Sequence, residues 1–228
     1  EQVFGWTFSK LRDAEPGHFP LESSLAPNID GGVVHSAESS FAVSAFTFPP
    51  QSLATEPPLD PVDLLVLARI VETRLHLAAQ AADLDSVSIS CEFMPAAMSA
   101  LPMISAISRP ADAARILELV PAEAARLVTE PVTEDEEARA ALQLLEPFCE
   151  ILTDADMSRD LMLYWGRFGD ISDSPLAALC GRPMGTLGVR ASGFFPADHY
   201  AWTVIGDKLL PGIRSLGPVV NHNPELDH

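Results

Sequence analysis

The sequence predicts an α+β fold, and two adjacent segments with different periodicities carry that prediction. The first begins at Asp60, a good helix N-cap, with Pro61 at the first helical position. Apolar residues then recur at three- and four-residue spacing, at Leu64, Leu67, Val71, Leu75, Ala78 and Ala81. In the second segment Val87, Ile89, Cys91 and Phe93 alternate with polar residues, which is typical of a strand with one buried face.

Three further patterns complete a predicted sheet. The β-rich run at 40–48 ends at two prolines, and residues 186–192 again alternate between apolar and polar side chains. A helix is predicted from Pro196, followed by a short closing strand at 217–220. Taken in order, these elements match the βαββαβ order of a ferredoxin-like split unit, interrupted by a large acidic helical insertion between the second and third strands.

This interpretation divides the chain into five parts. They are an aromatic N-terminal arm (1–30), the first half of the α+β core (31–94), an acidic helical insertion (95–180), the second half of the core (181–220) and a C-terminal tail (221–228). Within the insertion, helices are predicted at 111–119, 122–129, 134–153 and 157–168. Pro121 and Pro131 are expected to act as breaks. Thr133 and Glu136 form a capping-box pattern at the start of the third helix.

Charge excludes some classes of partner. The formal net charge is −18, and the stretch from Glu130 to Asp173 carries half of it, with twelve acidic and three basic residues. Such a chain repels phosphate backbones and anionic bilayers, so we expect neither nucleic-acid nor membrane binding. No signal peptide is visible, which predicts a cytoplasmic protein. Three cysteines without close spacing are expected to be buried free thiols.

The predicted sheet supplies the best candidate site. If the second and third strands pair, Ser88, Ser90 and Glu92 share a face with Thr186, Arg190 and Ser192. The helical insertion could then cover this polar floor and create a small-molecule pocket. In that pocket Arg190 would anchor an anionic or carbonyl group, and Glu92 would be an acid or base. The alternative is an ordinary solvent-exposed sheet face with one cross-strand ion pair.

A second cluster lies at the predicted start of the last helix. His199 could act as a general acid or base, because an imidazole titrates near neutral pH. Tyr200, the next residue, could contact a ligand. In the alternative, Asp198 complements the helix dipole while His199 and Tyr200 lie at the surface.

No metal site is predicted, and the sequence does not identify a cofactor. The run D-x-D-x-S-x-D at 154–160 resembles half of a calcium loop but has Arg159 where the loop needs glycine. His35-x-x-Glu38 lacks an obvious third ligand. Two functions therefore stay open. One is a small-molecule-binding or catalytic domain at the polar sheet face, and the other is an interaction module whose acidic block binds a basic protein.

Overall fold

The computed structural model describes residues 32–35, 40–53, 59–84, 86–96, 99–166, 175–206 and 220–222. The predicted arm at 1–30 and most of the tail lie outside these ranges. Seven strands form one sheet: β1 (Gly32–His35), β2 (Ala42–Thr47), β3 (Gln51–Ser52), β4 (Ser88–Ala96), β5 (Ser99–Ser108), β6 (Ala201–Gly206) and β7 (Val220–His222).

Strand β5 organises the sheet. Along one edge it pairs with β4 in an antiparallel hairpin, and along the other it pairs with β2 and with the two-residue β3. The sheet continues from β2 to an antiparallel β6, and then to β1 and β7 in parallel register. Because β1 and β2 pair with β6 and β7 from the far end of the chain, the sheet joins both ends of the described sequence.

Six helices occur in the described residues: α1 (Pro61–Ala81), α2 (Ala113–Thr129), α3 (Glu134–Thr153), α4 (Ala155–Trp165), α5 (Pro175–Gly181) and the single-turn α6 (Ala191–Phe194). The two strongest capping predictions are confirmed. Asp60 and Asp63 form a capping box at α1, and Thr133 and Glu136 form one at α3. Among the described residues, no helix is both long and apolar enough to cross a lipid bilayer.

A single core fills the space between the helices and one face of the sheet. Leu64, Leu67 and Leu75 of α1 are each 1% exposed or less, and they join Phe46 of β2 and Ile104 of β5 in one buried cluster. Burial of this apolar surface is the main term that holds the two layers together. The α+β class predicted from the sequence is confirmed.

Two segments that were predicted to be helical are strands in the structure. Residues 99–108, expected to be helical, form β5, because the hairpin buries Pro102, Ile104 and Ala106 at every second position. The segment after Pro196, expected to be a helix, gives β6, in which Trp202 and Val204 are buried. The ferredoxin-like assignment is therefore not confirmed, since its second helix is a strand.

Proline does not break α2. Pro121 lies inside this helix, which runs without interruption from Ala113 to Thr129, where two helices were predicted. The cysteine prediction holds for Cys91, which is buried, whereas Cys149 and Cys180 are exposed. All three are free thiols.

Candidate functional site

Strand β4 has the alternation that the sequence predicts. Ile89, Cys91 and Phe93 are buried beneath the helices, while Ser88, Ser90 and Glu92 are exposed on the opposite side. Burial desolvates the Cys91 thiol and raises its pKa well above the usual value, with a smaller contribution from the nearby carboxylates. The three predicted polar residues of β4 thus share one face.

Strand pairing extends this face across four strands. In the paired register, side chains that face each other project to the same side of a sheet. The side chains of this outer sheet face form three rows: Ser88–Ile107–Val43–Ile205, Ser90–Ser105–Ala45–Thr203 and Glu92–Met103–Thr47–Ala201, with the pair Met94–Leu101 beyond them. All of them are exposed or half-buried, because the described helices cover only the other face.

Eight of the fourteen side chains on the outer sheet face are apolar, and the central row consists of small and hydroxyl side chains. Met94, Ile107 and Ile205 are each between 43% and 49% exposed, which is high for residues of their size. The hydroxyls of Ser90 and Ser105 lie 2.7 Å apart and hydrogen-bond to each other across the central row. Glu92 is the single charged member of the face as defined above. At the chain average of 20% charged residues, fourteen positions would carry about three charges, so this face has fewer charges than average.

A side chain from α1 closes part of the neighbouring sheet edge. The backbone N–H of Cys91 donates to Glu72 Oε1 at 2.8 Å, and Glu72 also pairs with Arg69 at 3.1 Å. An occupied backbone donor prevents another chain from adding a strand at that point. At this point the β4 edge is therefore closed to an added strand, whereas the outer sheet face is exposed.

The predicted opposite strand at 186–192 does not exist. Its residues form a 3-10 turn (Gly188–Arg190) followed by α6. Leu187, Ala191, Phe194 and Phe195 are buried, whereas Val189, which the strand prediction placed inside, is 79% exposed. Burial at intervals of four, three and one residues is helical spacing, and the period-two interpretation missed it.

Two of the predicted residues line a different cavity instead. Thr186 and Arg190 border a cavity of about 320 Å³ at the N-terminus of α1, together with Asp63 and Arg182. Since α1 covers the buried side of the sheet, this cavity and the outer sheet face lie in different layers. The structure therefore does not bring Thr186 and Arg190 together with Ser88, Ser90 and Glu92, and the described helices do not form the expected lid.

Arg182 is the centre of a buried ionic cluster in that cavity wall. Its Nε and Nη2 donate to Asp63 Oδ1 at 3.0 and 2.9 Å, and its Nη1 lies 3.0 Å from Glu137 Oε2. Glu137, which is fully buried, also accepts the backbone N–H groups of Gly185 and Leu187. One guanidinium thus ties α1 and α3 to the connection after α5. No local sequence pattern reveals this cluster, because its members are up to 119 positions apart.

The remaining predicted residues lie elsewhere. Ser192 donates to the Val189 carbonyl at 3.0 Å, within its own helical turn. His199 is exposed, with Nδ1 2.9 Å from Asp198 Oδ1. Tyr200 packs against Phe46 and Phe48, and desolvation raises its pKa. The catalytic and ligand-binding roles of these residues stay predictions.

The acidic block is partly neutralised by arginines. Arg74 of α1 donates from Nε and Nη2 to the two carboxylate oxygens of Glu136 at 2.7 and 2.9 Å. These hydrogen bonds, together with those from Thr133, lower the pKa of Glu136 to about 2 despite partial burial. Glu136 thus contributes both to the helix cap and to the contact between α1 and α3.

This low pKa predicts an acid-dependent loss of stability. Because the folded-state pKa lies below the unfolded value of about 4.3, the Glu136 contribution is complete above that value and is lost as the pH falls towards about 2. We expect Glu136→Gln to lower the free energy of unfolding by about 1–2 kcal/mol at pH 7. Urea titrations across the pH range should show this difference shrinking to near zero at the acidic end.

The control for this experiment is Asp135→Asn, an exposed acid in the same helical turn. It changes the charge near the helix N-terminus equally but does not remove the Arg74 ion pair. A Glu136→Gln difference that stayed constant with pH would contradict the assignment.

Comparison with known proteins identifies the fold. A conserved protein from Enterococcus faecalis aligns with a TM-score of 0.53 and 16% identity, over 84% of this chain and 51% of that one. A peptidase M16 inactive domain from Pseudomonas fluorescens aligns with a TM-score of 0.56 and 14% identity, over 79% of this chain and 44% of that one. A putative zinc protease from Bordetella pertussis aligns with a TM-score of 0.55 and 16% identity, over 72% of this chain and 93% of that one.

These likenesses show the fold alone. No protein-family model matches the chain, and no curated protein matches it in sequence. The chain spans about half the length of the first two structures.

The residues present do not fit the zinc that such a fold implies. Inverted zinc peptidases bind the metal through an H-x-x-E-H run, which the sequence does not contain. The runs His35-x-x-Glu38 and His222-x-x-Glu225 come nearest, but Ser39 and Leu226 stand where the motif has its second histidine. Within the described ranges, no three histidine, cysteine or acidic side chains are grouped so that they could hold a metal ion. The chain thus has a fold that peptidase M16-related proteins share.

Proposed function

We propose that this protein is a non-catalytic assembly domain that pairs with a second domain of its own fold through the outer sheet face. The observation that carries this proposal is the single charge on that face, in a chain whose formal charge is −18. Exposed apolar patches of a few hundred Å² often mark interaction sites. Four strands about 4.8 Å apart and seven residues long make a face of roughly 20 by 20 Å.

The choice of a second, similar domain as the occupant rests on length and on sequence. The two longer neighbours have about twice the length of this chain, so they have room for another domain of similar size. One of them is itself described as an inactive domain. The missing H-x-x-E-H run supports a role without peptidase chemistry.

The placement of charge favours pairing of two identical faces. The acidic helices α3 and α4 lie in the layer that covers the other side of the sheet, so two chains joined at the outer sheet face hold these charges apart. A two-fold interface is also self-complementary, and the central Ser90–Ser105 row is flat enough for close approach of a second sheet at about 10 Å.

A small-molecule site has less support than this arrangement. The sequence predicted a polar pocket closed by the helical insertion, but the described helices pack on the buried side of the sheet. The basic-protein alternative depends on a free acidic surface, and pairing reduces that surface, since Glu130 and Glu136 each bind an arginine and Glu137 is buried. Glu134 and Asp135 remain exposed, so this alternative keeps part of its support.

Sedimentation equilibrium of the full chain tests the proposal, with the chain acting as its own second domain. We expect a concentration-dependent dimer that moderate salt leaves intact, because few charges lie at the contact. Ser105→Arg places a charge at the centre of both faces and should weaken dimerisation at least about 100-fold, since buried like charges cost several kcal/mol.

The matched control is Leu142→Arg, which adds the same side chain at a 66% exposed position on α3. This variant should dimerise like the parent chain. Monomers at every concentration, or a Ser105→Arg dimer of unchanged strength, would overturn the proposal. A dimer that forms only after deletion of residues 1–30 would assign the face to that segment and would also overturn it.

A further inference from the structure

A cleft on the helical layer combines charge, apolar surface and an unsatisfied acceptor. It has a volume of about 650 Å³ and lies between α1, the C-terminal half of α2 and the connection to α3. Its polar lining includes Arg74, Glu123, Arg126, Glu130 and Glu136. It belongs to the opposite layer from the outer sheet face, so it is independent of the proposed assembly.

The ion pairs of the cleft leave one negative charge over. Arg74 is bound by Glu136 and by the carbonyls of Glu130 and Pro131, and none of these four hydrogen bonds goes to Glu123. Arg126 is shared by two acids, with Nη1 3.0 Å from Glu123 Oε2 and Nη2 2.7 Å from Glu130 Oε2. Two arginines therefore face three glutamates.

Glu123 identifies where a complementary group would bind. Its side chain is only 4% exposed, and its Oε1 has no hydrogen-bond donor among the described residues. A buried carboxylate oxygen without a donor is unfavourable, because water has been removed and nothing replaces it. An internal cavity of about 10 Å³ also borders Glu123, with room for about one water molecule.

The rest of the cleft suits a short aliphatic chain. Leu77, Ala78, Ala81 and Pro131 line it, and Leu77 is 60% exposed. A cationic head on an alkyl stem matches this arrangement, because the stem can cover the apolar surface while the head pairs with the acid.

We propose that this cleft binds one alkylguanidinium or alkylammonium group, with Glu123 as its principal acceptor. The group is either a free small molecule or the side chain of an arginine or lysine in a polypeptide. In both cases one cation neutralises the excess charge, and its methylenes lie on Leu77 and the two alanines. Because Oε1 is buried in the unliganded chain, the Glu123 carboxylate turns towards the cleft to accept the N–H groups of the cation.

NMR titration of the full chain tests the site with two probes, n-butylguanidine and N-acetyl-arginine methylamide. We expect binding that weakens with added salt. Stronger binding of the first probe would indicate a free cation, and stronger binding of the second would indicate a polypeptide side chain. Binding of neither probe would overturn the proposal and would leave an internal water as the partner of Oε1.

Two substitutions with opposite expected effects make the test specific. Glu123→Gln keeps the shape and removes the charge, so affinity should fall about tenfold or more. Arg126→Gln removes an exposed competitor for Glu123 and should raise affinity several-fold, even if Glu123→Gln folds poorly.

Glu118→Gln, an exposed site on α2 outside the cleft, makes the same change in net charge and should alter affinity less than about twofold. An unchanged affinity in Arg126→Gln, or equal losses in Glu118→Gln and Glu123→Gln, would contradict the site.

Discussion

Replacing Arg182 with methionine is expected to lower the free energy of unfolding by about 3–5 kcal/mol, because removing one partner of a buried ion pair leaves the other charges uncompensated. The Arg182 side chain is 4% exposed, and the Asp63 and Glu137 side chains around it are 11% and 0% exposed. Without the guanidinium, two carboxylates remain in a site with little water. Urea or thermal unfolding monitored by circular dichroism measures the loss.

Arg159→Met is the matched control for this experiment. Arg159 also lies near two acids, Asp156 and Asp160, but its side chain is 63% exposed. The control should therefore cost no more than about 1 kcal/mol. Adding Glu137→Gln to the Arg182→Met chain should recover part of the loss, since it removes one of the orphaned charges. Equal losses in Arg182→Met and Arg159→Met would show that the cluster is not a stabilising centre.

The elements that the sequence predicts well are those determined by local chemistry. Asp60, Pro61 and the apolar stripe of α1 are all within one helix, and the alternation of β4 is visible in eight consecutive residues. The capping box at Thr133 and Glu136 is equally local. Caps and periodicity depend on neighbours in the chain, so one sequence is enough to identify them.

The elements that the sequence does not predict depend on partners far away in the chain. Residues 99–108 become a strand because β2 and β4 flank them on both edges. Pro121 is tolerated in α2 because Val120 and Ala124 are held in the core on either side of it. Tertiary contacts override local preference in both cases.

The candidate site shows the same division. Ser88, Ser90 and Glu92 were correctly placed on one polar face of a strand, since alternation alone determines that. Their predicted cross-strand neighbours, Thr186, Arg190 and Ser192, are not opposite them. The register of β4 with β5 instead puts Ile107, Ser105 and Met103 in those positions. Apolar residues in two of the three cross-strand positions turn a predicted polar floor into the largely apolar surface on which the proposed pairing rests.

Phe195 offers the most direct test of the segment at 186–195, where a strand was predicted and a 3-10 turn followed by α6 is found. It is fully buried, and the centroid of its ring lies 5.1 Å from that of Phe48 and 5.9 Å from that of Phe93. Both ring pairs have edge-on geometry. A period-two strand at 186–192 does not require this contact, whereas the observed turn and α6 place the ring in the core. Phe195→Ala should lower the free energy of unfolding by about 3–5 kcal/mol through lost burial and a residual cavity.

The matched control for Phe195→Ala is Val189→Ala, six residues earlier in the same segment. Val189 is 79% exposed, so the substitution should change stability by less than about 0.5 kcal/mol. A strand of alternating burial would reverse the order of the two stability losses. Val189 would then be buried, and Val189→Ala would be the more destabilising substitution. Chemical denaturation of the two variants therefore distinguishes the two arrangements by the order of their losses, because only the helical spacing of Leu187, Ala191 and Phe195 leaves Val189 in solvent.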